Sequence, residues 1–204
     1  MAKMYFRYAA MGGGKTLHLL QVVNNYERIG KKCLITKPAI DDKANDRVQT
    51  RLGLEKECDF LIYDYTTFEE EEIIGMIKNS DCICIDEAQF LLPEQVMKLY
   101  EITKIYNVPV ICYGLRSRVN AMPFRGSAPI LTIADDIEEI KSICDCGKKA
   151  NFQIRYVNKV LDIGDEEVVI DKPENNVEYK SLCGDCYVKL RLENKKILKK
   201  VNNN

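Results

Sequence analysis

The run Ala9-Ala10-Met11-Gly12-Gly13-Gly14-Lys15-Thr16 constrains this chain more than any other stretch, because few folds can use it. It follows an apolar, strand-like segment, Met4 to Ala9. It precedes Thr16 to Ile29, where Leu19, Leu20, Val22, Val23, Tyr26 and Ile29 recur close to a 3.6-residue period until Gly30 ends the pattern. A glycine-rich turn between a strand and a helix N-terminus aims several backbone N–H groups at one point, which is what a phosphate needs. The sequence therefore predicts a phosphate loop, with Lys15 reaching the β- and γ-phosphates of ATP and the Thr16 hydroxyl on Mg²⁺. Ala9 stands where the general pattern GxxxxGK[ST] begins with glycine, but the strand–loop–helix context supports the reading.

The segments that follow keep the same alternation. Cys33 to Thr36, Phe60 to Tyr63, Cys82 to Ile85 and Val108 to Tyr113 read as short strands; Phe68 to Lys78 and Pro93 to Tyr106 read as helices, the second with proline at its first position. Alternating strands and helices predict an α/β fold, a parallel sheet flanked by helices. After Ile140 the pattern changes to strand-like pieces at Asn151 to Val157 and Glu166 to Ile170. The expected organisation is an ATP-binding domain over residues 1–140, a small zinc-binding domain over 141–191, and a disordered basic tail over 192–204 carrying Lys195-Lys196 and Lys199-Lys200. His18 and the helical stripe Leu99, Ile102, Ile105, Tyr106 read as structural.

A chain of 204 residues, 46% hydrophobic and 30% charged, has the composition of a soluble globule able to bury a core, and no apolar run approaches the ~20 residues a helix needs to cross a membrane. Its net charge of −1 offers no broad field for nucleic acid or an anionic membrane. Neither partner is expected. With no signal-peptide pattern at the N-terminus the expected location is the cytoplasm, where nine cysteines serve as buried thiols or metal ligands rather than disulfides. Cys33, Cys82, Cys84 and Cys112 lie in apolar runs and read as small buried hydrophobes.

Two constellations add chemistry to the phosphate loop. Asp86 and Glu87 end an apolar strand, where one carboxylate can serve a nucleotide-bound Mg²⁺ and the other can take a proton from an acceptor hydroxyl. Cys144-Asp145-Cys146 and Cys183-Gly184-Asp185-Cys186 supply four thiolates in two tight pairs, enough for one tetrahedral Zn²⁺. A redox pair is the weaker alternative, for want of a thioredoxin-like context.

In this order, these residues resemble the zinc-containing cytosolic (type II) thymidine kinases. The resemblance runs from Tyr5 to about Tyr187. It rests on the phosphate loop, Ala39-Ile40-Asp41-Asp42, Asp86-Glu87-Ala88-Gln89-Phe90, Cys112-Tyr113-Gly114-Leu115-Arg116, Ile133-Ala134-Asp135 and the four cysteines. It implies transfer of the ATP γ-phosphate to the 5′-hydroxyl of thymidine or deoxyuridine, a pyrimidine-salvage step toward DNA synthesis. Glu87 becomes the catalytic base, Asp86 and Gln89 join the nucleotide side, and Phe90 walls the nucleoside pocket. The segment between the cysteine pairs becomes a lasso closing over the base, with Val168, Val169, Ile170 and Tyr179 on the substrate, and the assembly becomes a homotetramer. Two segments depart from the family pattern. Ser117-Arg118-Val119-Asn120-Ala121-Met122 stands for the usual Thr-Asp-Phe-Arg-Gly-Glu, and Asp171-Lys172 stands for a glycine pair in the lasso. Lys43 replaces a usual arginine. The alternatives are a diverged nucleotide-binding regulatory protein, a kinase with altered nucleoside specificity, or an ATP-hydrolysing switch.

Overall fold

Runs of β-branched and small apolar residues form the strands, and the computed structural model describes residues 1–39, 46–164 and 176–201, with side chains through 194. The chain divides into two compact units. One comprises Met1–Tyr8, Gly14–Arg116 and Pro123–Ile140; the other comprises Ala9–Gly13, Ser117–Met122 and Lys141–Asn204.

In chain order, the elements that include the first unit are β1 (Met4–Ala9), α1 (Lys15–Glu27), β2 (Cys33–Pro38), β3 (Arg47–Gln49), β4 (Glu55–Glu57), β5 (Phe60–Ile62), α2 (Glu71–Lys78), β6 (Cys82–Ile85), α3 (Pro93–Ile105), β7 (Val110–Leu115), α4 (Ser127–Ile133) and β8 (Asp136–Glu139). Six strands make one sheet in the order β5-β2-β6-β7-β1-β8, and the pairs β1–β8, β2–β5, β2–β6 and β6–β7 run parallel. Alternate strand residues point to opposite faces, so β2 and β6 feed two cores. Leu34, Ile83, Ile85, Val110 and Cys112 pack with Val96, Leu99, Ile102 and Ile130 from α3 and α4. Cys33, Ile35, Cys82, Cys84 and Tyr113 pack with Leu19 and Val23 of α1. A sheet buried on both faces explains why β6 reads as an unbroken apolar run rather than an alternating one.

Local chemistry moves some boundaries from where the sequence pattern puts them. β7 starts at Val110 rather than Val108 because Pro109 has no N–H to give the ladder. Phe68 has φ 61°, outside helical backbone, so α2 starts only at Glu71. The polar stretch around Arg47 and Arg51 is a small antiparallel hairpin, in which Arg47 pairs with Glu55 and, at 2.7 Å, with Glu57.

The second unit adds β9 (Ser142–Ile143), β10 (Lys149–Ala150), β11 (Phe152–Val157), β12 (Val160–Asp162), β13 (Val177–Leu182) and α5 (Gly184–Val201). β9 and β10 form a hairpin, and β12-β11-β13 an antiparallel sheet. Cys144, Ala150, Ile154, Leu182, Cys183 and Tyr187 form its core, with Tyr187 stacked on Phe152 at 4.5 Å. α5 continues to Val201, a correction to the disordered tail expected from residue 192. Leu, Glu and Lys dominate 192–200, and these residues lose little rotamer freedom in a helix. The strand expected over Glu166 to Ile170 lies outside the described residues. Among the described residues no helix is long and apolar enough to cross a membrane.

Candidate active site and cysteine centre

In the first unit, Gly14 takes φ 81°, with open space where a side chain would stand, and leads into α1. Its carbonyl accepts the His18 N–H at 3.0 Å. Lys15, the first residue of that helix, is 6% exposed. The Thr16 hydroxyl donates to Asp86 Oδ2 at 2.8 Å, and the Glu87 N–H donates to Asp86 Oδ1 at 3.0 Å. Asp86 is 4% exposed. Its burial, reinforced by the neighbouring Glu87 charge, pushes its pKa from 3.8 up to about 6, against the pull of Thr16 and Lys15.

Glu87 opens a short 3₁₀ turn, Ala88–Phe90, with φ 50° and ψ 34°, a left-handed conformation that non-glycine residues rarely hold. Gln89 fixes its side chain: Gln89 Nε2 donates to Glu87 Oε2, while Gln89 Oε1 accepts the Leu115 N–H at 2.9 Å. Phe90 is half-buried, edge-on to Phe124 at 5.6 Å. Two residues that the sequence reading passed over hold this turn from outside. Arg125 donates to the Phe90 carbonyl from Nε at 3.1 Å and Nη2 at 2.8 Å, and the Gly126 N–H donates to the Gln89 carbonyl at 3.1 Å. A Cβ on Gly126 would lie 2.6 Å from the Ala88 carbonyl oxygen. The one legible signal was a glycine after Phe124-Arg125, just before a helical pattern.

In the second unit, the earlier part of the glycine loop turns tightly. The Gly13 N–H donates to the Ala10 carbonyl at 3.0 Å, Gly12 takes φ 74°, and a Cβ on Gly13 would meet the Ala9 Cβ at 2.6 Å. Met11 offers its carbonyl to the Ser181 hydroxyl at 2.6 Å. The four expected cysteines converge: the sulfurs of Cys144, Cys146, Cys183 and Cys186 all lie within 4.8 Å of one another, with Cys146 and Cys183 at 3.6 Å. Tetrahedral zinc with sulfurs at about 2.3 Å requires separations of about 3.8 Å, so the set fits that ion. Cys144 sits in a tight knuckle, in which Gly147, at φ 84°, donates its N–H to the Cys144 carbonyl at 2.8 Å. Backbone N–H groups of Cys146 and Cys183 lower the Cys144 thiol to about 7, favouring the thiolate a metal needs. Tyr179 is half-buried on β13, paired with Arg155. Val168, Val169 and Ile170, with Ile40, Asp41, Asp42 and Lys43, lie outside the described residues.

A thymidine kinase family model matches residues 2–187. The chain belongs to the thymidine kinase family. It is 40% identical to the thymidine kinase of Chromobacterium violaceum over 199 residues, 92% of this chain and 98% of that one. It is 44% identical to the thymidine kinase of Francisella tularensis subsp. holarctica over 187 residues, 90% and 95% of the two chains. The thymidine kinase of Mannheimia succiniciproducens is 39% identical over 184 residues, with 90% and 93% covered. In this family member Asp86, Glu87 and Gln89 form one hydrogen-bonded array with Thr16, and the four C-terminal cysteines form one cluster.

Proposed function

We infer that this chain is an ATP-dependent thymidine kinase, transferring the γ-phosphate to the 5′-hydroxyl of thymidine or deoxyuridine. The observation that carries the reading is the array in which Thr16 is bonded to Asp86 and Glu87 is held beside it by Gln89. Phosphoryl transfer asks for charge stabilisation on the phosphates and a base at the attacking oxygen. Backbone N–H groups of the loop Ala9 to Thr16 would cradle the phosphates of ATP, and the Lys15 ammonium would lie against the β- and γ-phosphates. The Thr16 hydroxyl and the Asp86 carboxylate are hard oxygen donors suited to Mg²⁺, which neutralises charge on the phosphate oxygens when bound. Glu87 would accept the proton of the 5′-hydroxyl as it attacks. Phe90 would flank the nucleoside. A regulatory protein that only binds nucleotide would have no use for a carboxylate locked in strained backbone, so the array supports the enzyme.

Cys144, Cys146, Cys183 and Cys186 would hold structural Zn²⁺, tying the β9–β10 hairpin to the start of α5. For the base, we infer recognition by Tyr179 together with Val168, Val169 and Ile170, as the family resemblance implies. We also infer a homotetramer, and a cytoplasmic location in keeping with free thiols throughout the described residues.

The test is phosphate transfer from labelled ATP–Mg²⁺ to thymidine, deoxyuridine, deoxycytidine and the purine deoxynucleosides. Thymidine and deoxyuridine should both be phosphorylated and the others not. One methyl group separates the two substrates, a difference worth about 1–3 kcal/mol even in a shaped pocket, so their kcat/KM values should differ by no more than about 200-fold. Normal ATP binding with no nucleoside phosphorylated would return the case to the regulatory alternative.

A further inference from the structure

The first unit holds a second cluster of thiols. Cys33 lies on β2, and Cys82 and Cys84 lie on β6. The strands pair in parallel with Cys33 opposite Cys82, and the spacing of two brings Cys84 to the same face. All three sulfurs lie within 4.8 Å of one another, and Cys33 Sγ stands 3.4 Å from Cys84 Sγ. The nucleotide and nucleoside chemistry uses none of them.

We propose that Cys33, Cys82 and Cys84 form a three-sulfur binding site for a soft monovalent cation, Cu(I). Three ligands around a metal at about 2.3 Å stand about 4.0 Å apart when trigonal, close to the spacing already present. Thiolates select soft cations. Structural zinc is almost always closed by four ligands, and among the described residues no fourth cysteine, histidine or carboxylate joins this group. The backbone is already ordered by ladder hydrogen bonds on both strands, so binding would cost little reorganisation.

The cluster also has an approach. A cavity of about 420 Å³ is lined by Cys33 and Ile35 together with Glu27, Lys31, Lys56 and Asp59. Cys33 itself is 7% exposed, whereas Cys82 and Cys84 are fully buried behind it. A cation arriving through the cavity would meet Cys33 first. Coordination balances as one Cu(I) bound and two thiol protons released to solvent, with the third sulfur donating as a thiol. The bound group then carries one negative charge, fewer than three separate thiolates would bring into the core. No electron is transferred. Cys112, equally buried on the opposite face of the sheet, stands outside the group and serves as the internal control.

The experiment uses the full, reduced chain, first saturated with Zn²⁺ and then titrated anaerobically with Cu(I) in competition with bicinchoninate, while released zinc is followed by a dye. One equivalent of Cu(I) should be withheld from the chelator without release of zinc. Cys33→Ala and Cys84→Ala should weaken that uptake at least tenfold, and Cys112→Ala should leave it unchanged. Because core alanines can disturb folding, the unsubstituted protein gives a second readout: one equivalent of Cu(I) should slow maleimide alkylation of Cys33 at least tenfold, read by peptide mass mapping. Uptake that releases zinc in proportion, uptake that survives Cys33→Ala, or Cys33 alkylation at an unchanged rate would each overturn the proposal. None of these readouts depends on kinase activity.

Discussion

Two turns in this molecule contain the same backbone irregularity and use it differently. Asp86 to Phe90 follows β6, and Ser117 to Met122 follows β7. Each holds a non-glycine residue in left-handed backbone, Glu87 at φ 50° and Ala121 at φ 68°. Such a residue costs on the order of 1 kcal/mol or more and persists where its surroundings enforce it. In the first turn the strained residue carries a carboxylate, gripped by Gln89, beside a buried Asp86. In the second it carries only a methyl group. That turn is closed by its own backbone, Ala121 N–H to the Arg118 carbonyl at 3.0 Å and Arg118 N–H to the Met122 carbonyl at 2.7 Å. Its residue Val119 is 4% exposed, with its carbonyl accepting the Tyr187 hydroxyl at 2.8 Å. On the proposed reading the first turn's strain presents the base, whereas the second turn's strain serves its shape alone.

The comparison breaks most visibly at Glu87. Glu87→Gln keeps an oxygen for the Gln89 amide but removes the base, so kcat should fall by about 10²–10⁴ with ATP affinity preserved. Steady-state kinetics with an ATP-binding titration check this; a loss under about threefold would show that the strained carboxylate takes no proton. Asp86→Asn comes next and should act in two directions. Wild-type Asp86 has its folded pKa raised from 3.8 to about 6, so the stabilising neutral form is fully present below about 3.8 and lost as pH rises through about 6. At about 1.36 kcal/mol per unit, a rise of about two units sets a ceiling of about 3 kcal/mol on the nucleotide-free penalty at pH 7. Asp86→Asn should therefore resist urea better than wild type at pH 7. The gain stays under the ceiling because Lys15 loses a favourable neighbour, and it should vanish toward pH 4. Phosphate transfer should drop meanwhile, since an amide is a poor partner for Mg²⁺. Equal stability of the two proteins at pH 7 would contradict the burial argument.

Gly126→Ala probes how the first turn is supported rather than what it carries. The added Cβ would meet the backbone oxygens of Ala88, Gln89 and Leu91 at 2.6, 2.9 and 2.8 Å, and backbone cannot swing aside as a side chain can. Overpacking of this kind costs about 1–3 kcal/mol. The turn should shift with it, lowering kcat as well as the urea midpoint. An unchanged kcat would mean that Glu87 keeps its place without this backing.

How much of this was readable beforehand differs between the same regions. The strand–loop–helix around Lys15 and the all-apolar β6 follow from periodicity and glycine chemistry, and Asp86-Glu87 stood out because a phosphate loop upstream calls for a carboxylate at the end of a neighbouring strand. The four cysteines were legible from pairing alone. What the sequence hid were contacts between residues far apart in the chain. Gln89 reaches Leu115, and Arg125 reaches the Phe90 carbonyl, through hydrogen bonds that no local pattern encodes. The convergence of Cys33 with Cys82 and Cys84 depends on the register of β2 against β6, and register is a tertiary fact. β8 and the hairpin of β3 and β4 escaped notice because their exposed residues are acidic and basic, poor in the β-branched signal that marks a strand.

The smallest expected effect belongs to the second turn. Ala121→Gly removes the penalty of holding a Cβ at φ 68°, on the order of 1 kcal/mol, but it also frees the unfolded chain, which costs about 0.5–1 kcal/mol. The two nearly cancel, so the urea midpoint should move by no more than the equivalent of about 0.5 kcal/mol in either direction. Kinetics are the sharper readout. The turn holds its shape through backbone hydrogen bonds and the Met122 N–H to Asn120 Oδ1 bond at 2.9 Å, all of which survive the substitution. Thymidine KM and kcat should therefore both stay within about twofold of wild type. A glycine that sharply lowered KM would mean that strain in this turn had been opposing the substrate, and the contrast with Glu87 would narrow to two turns that both tune the site.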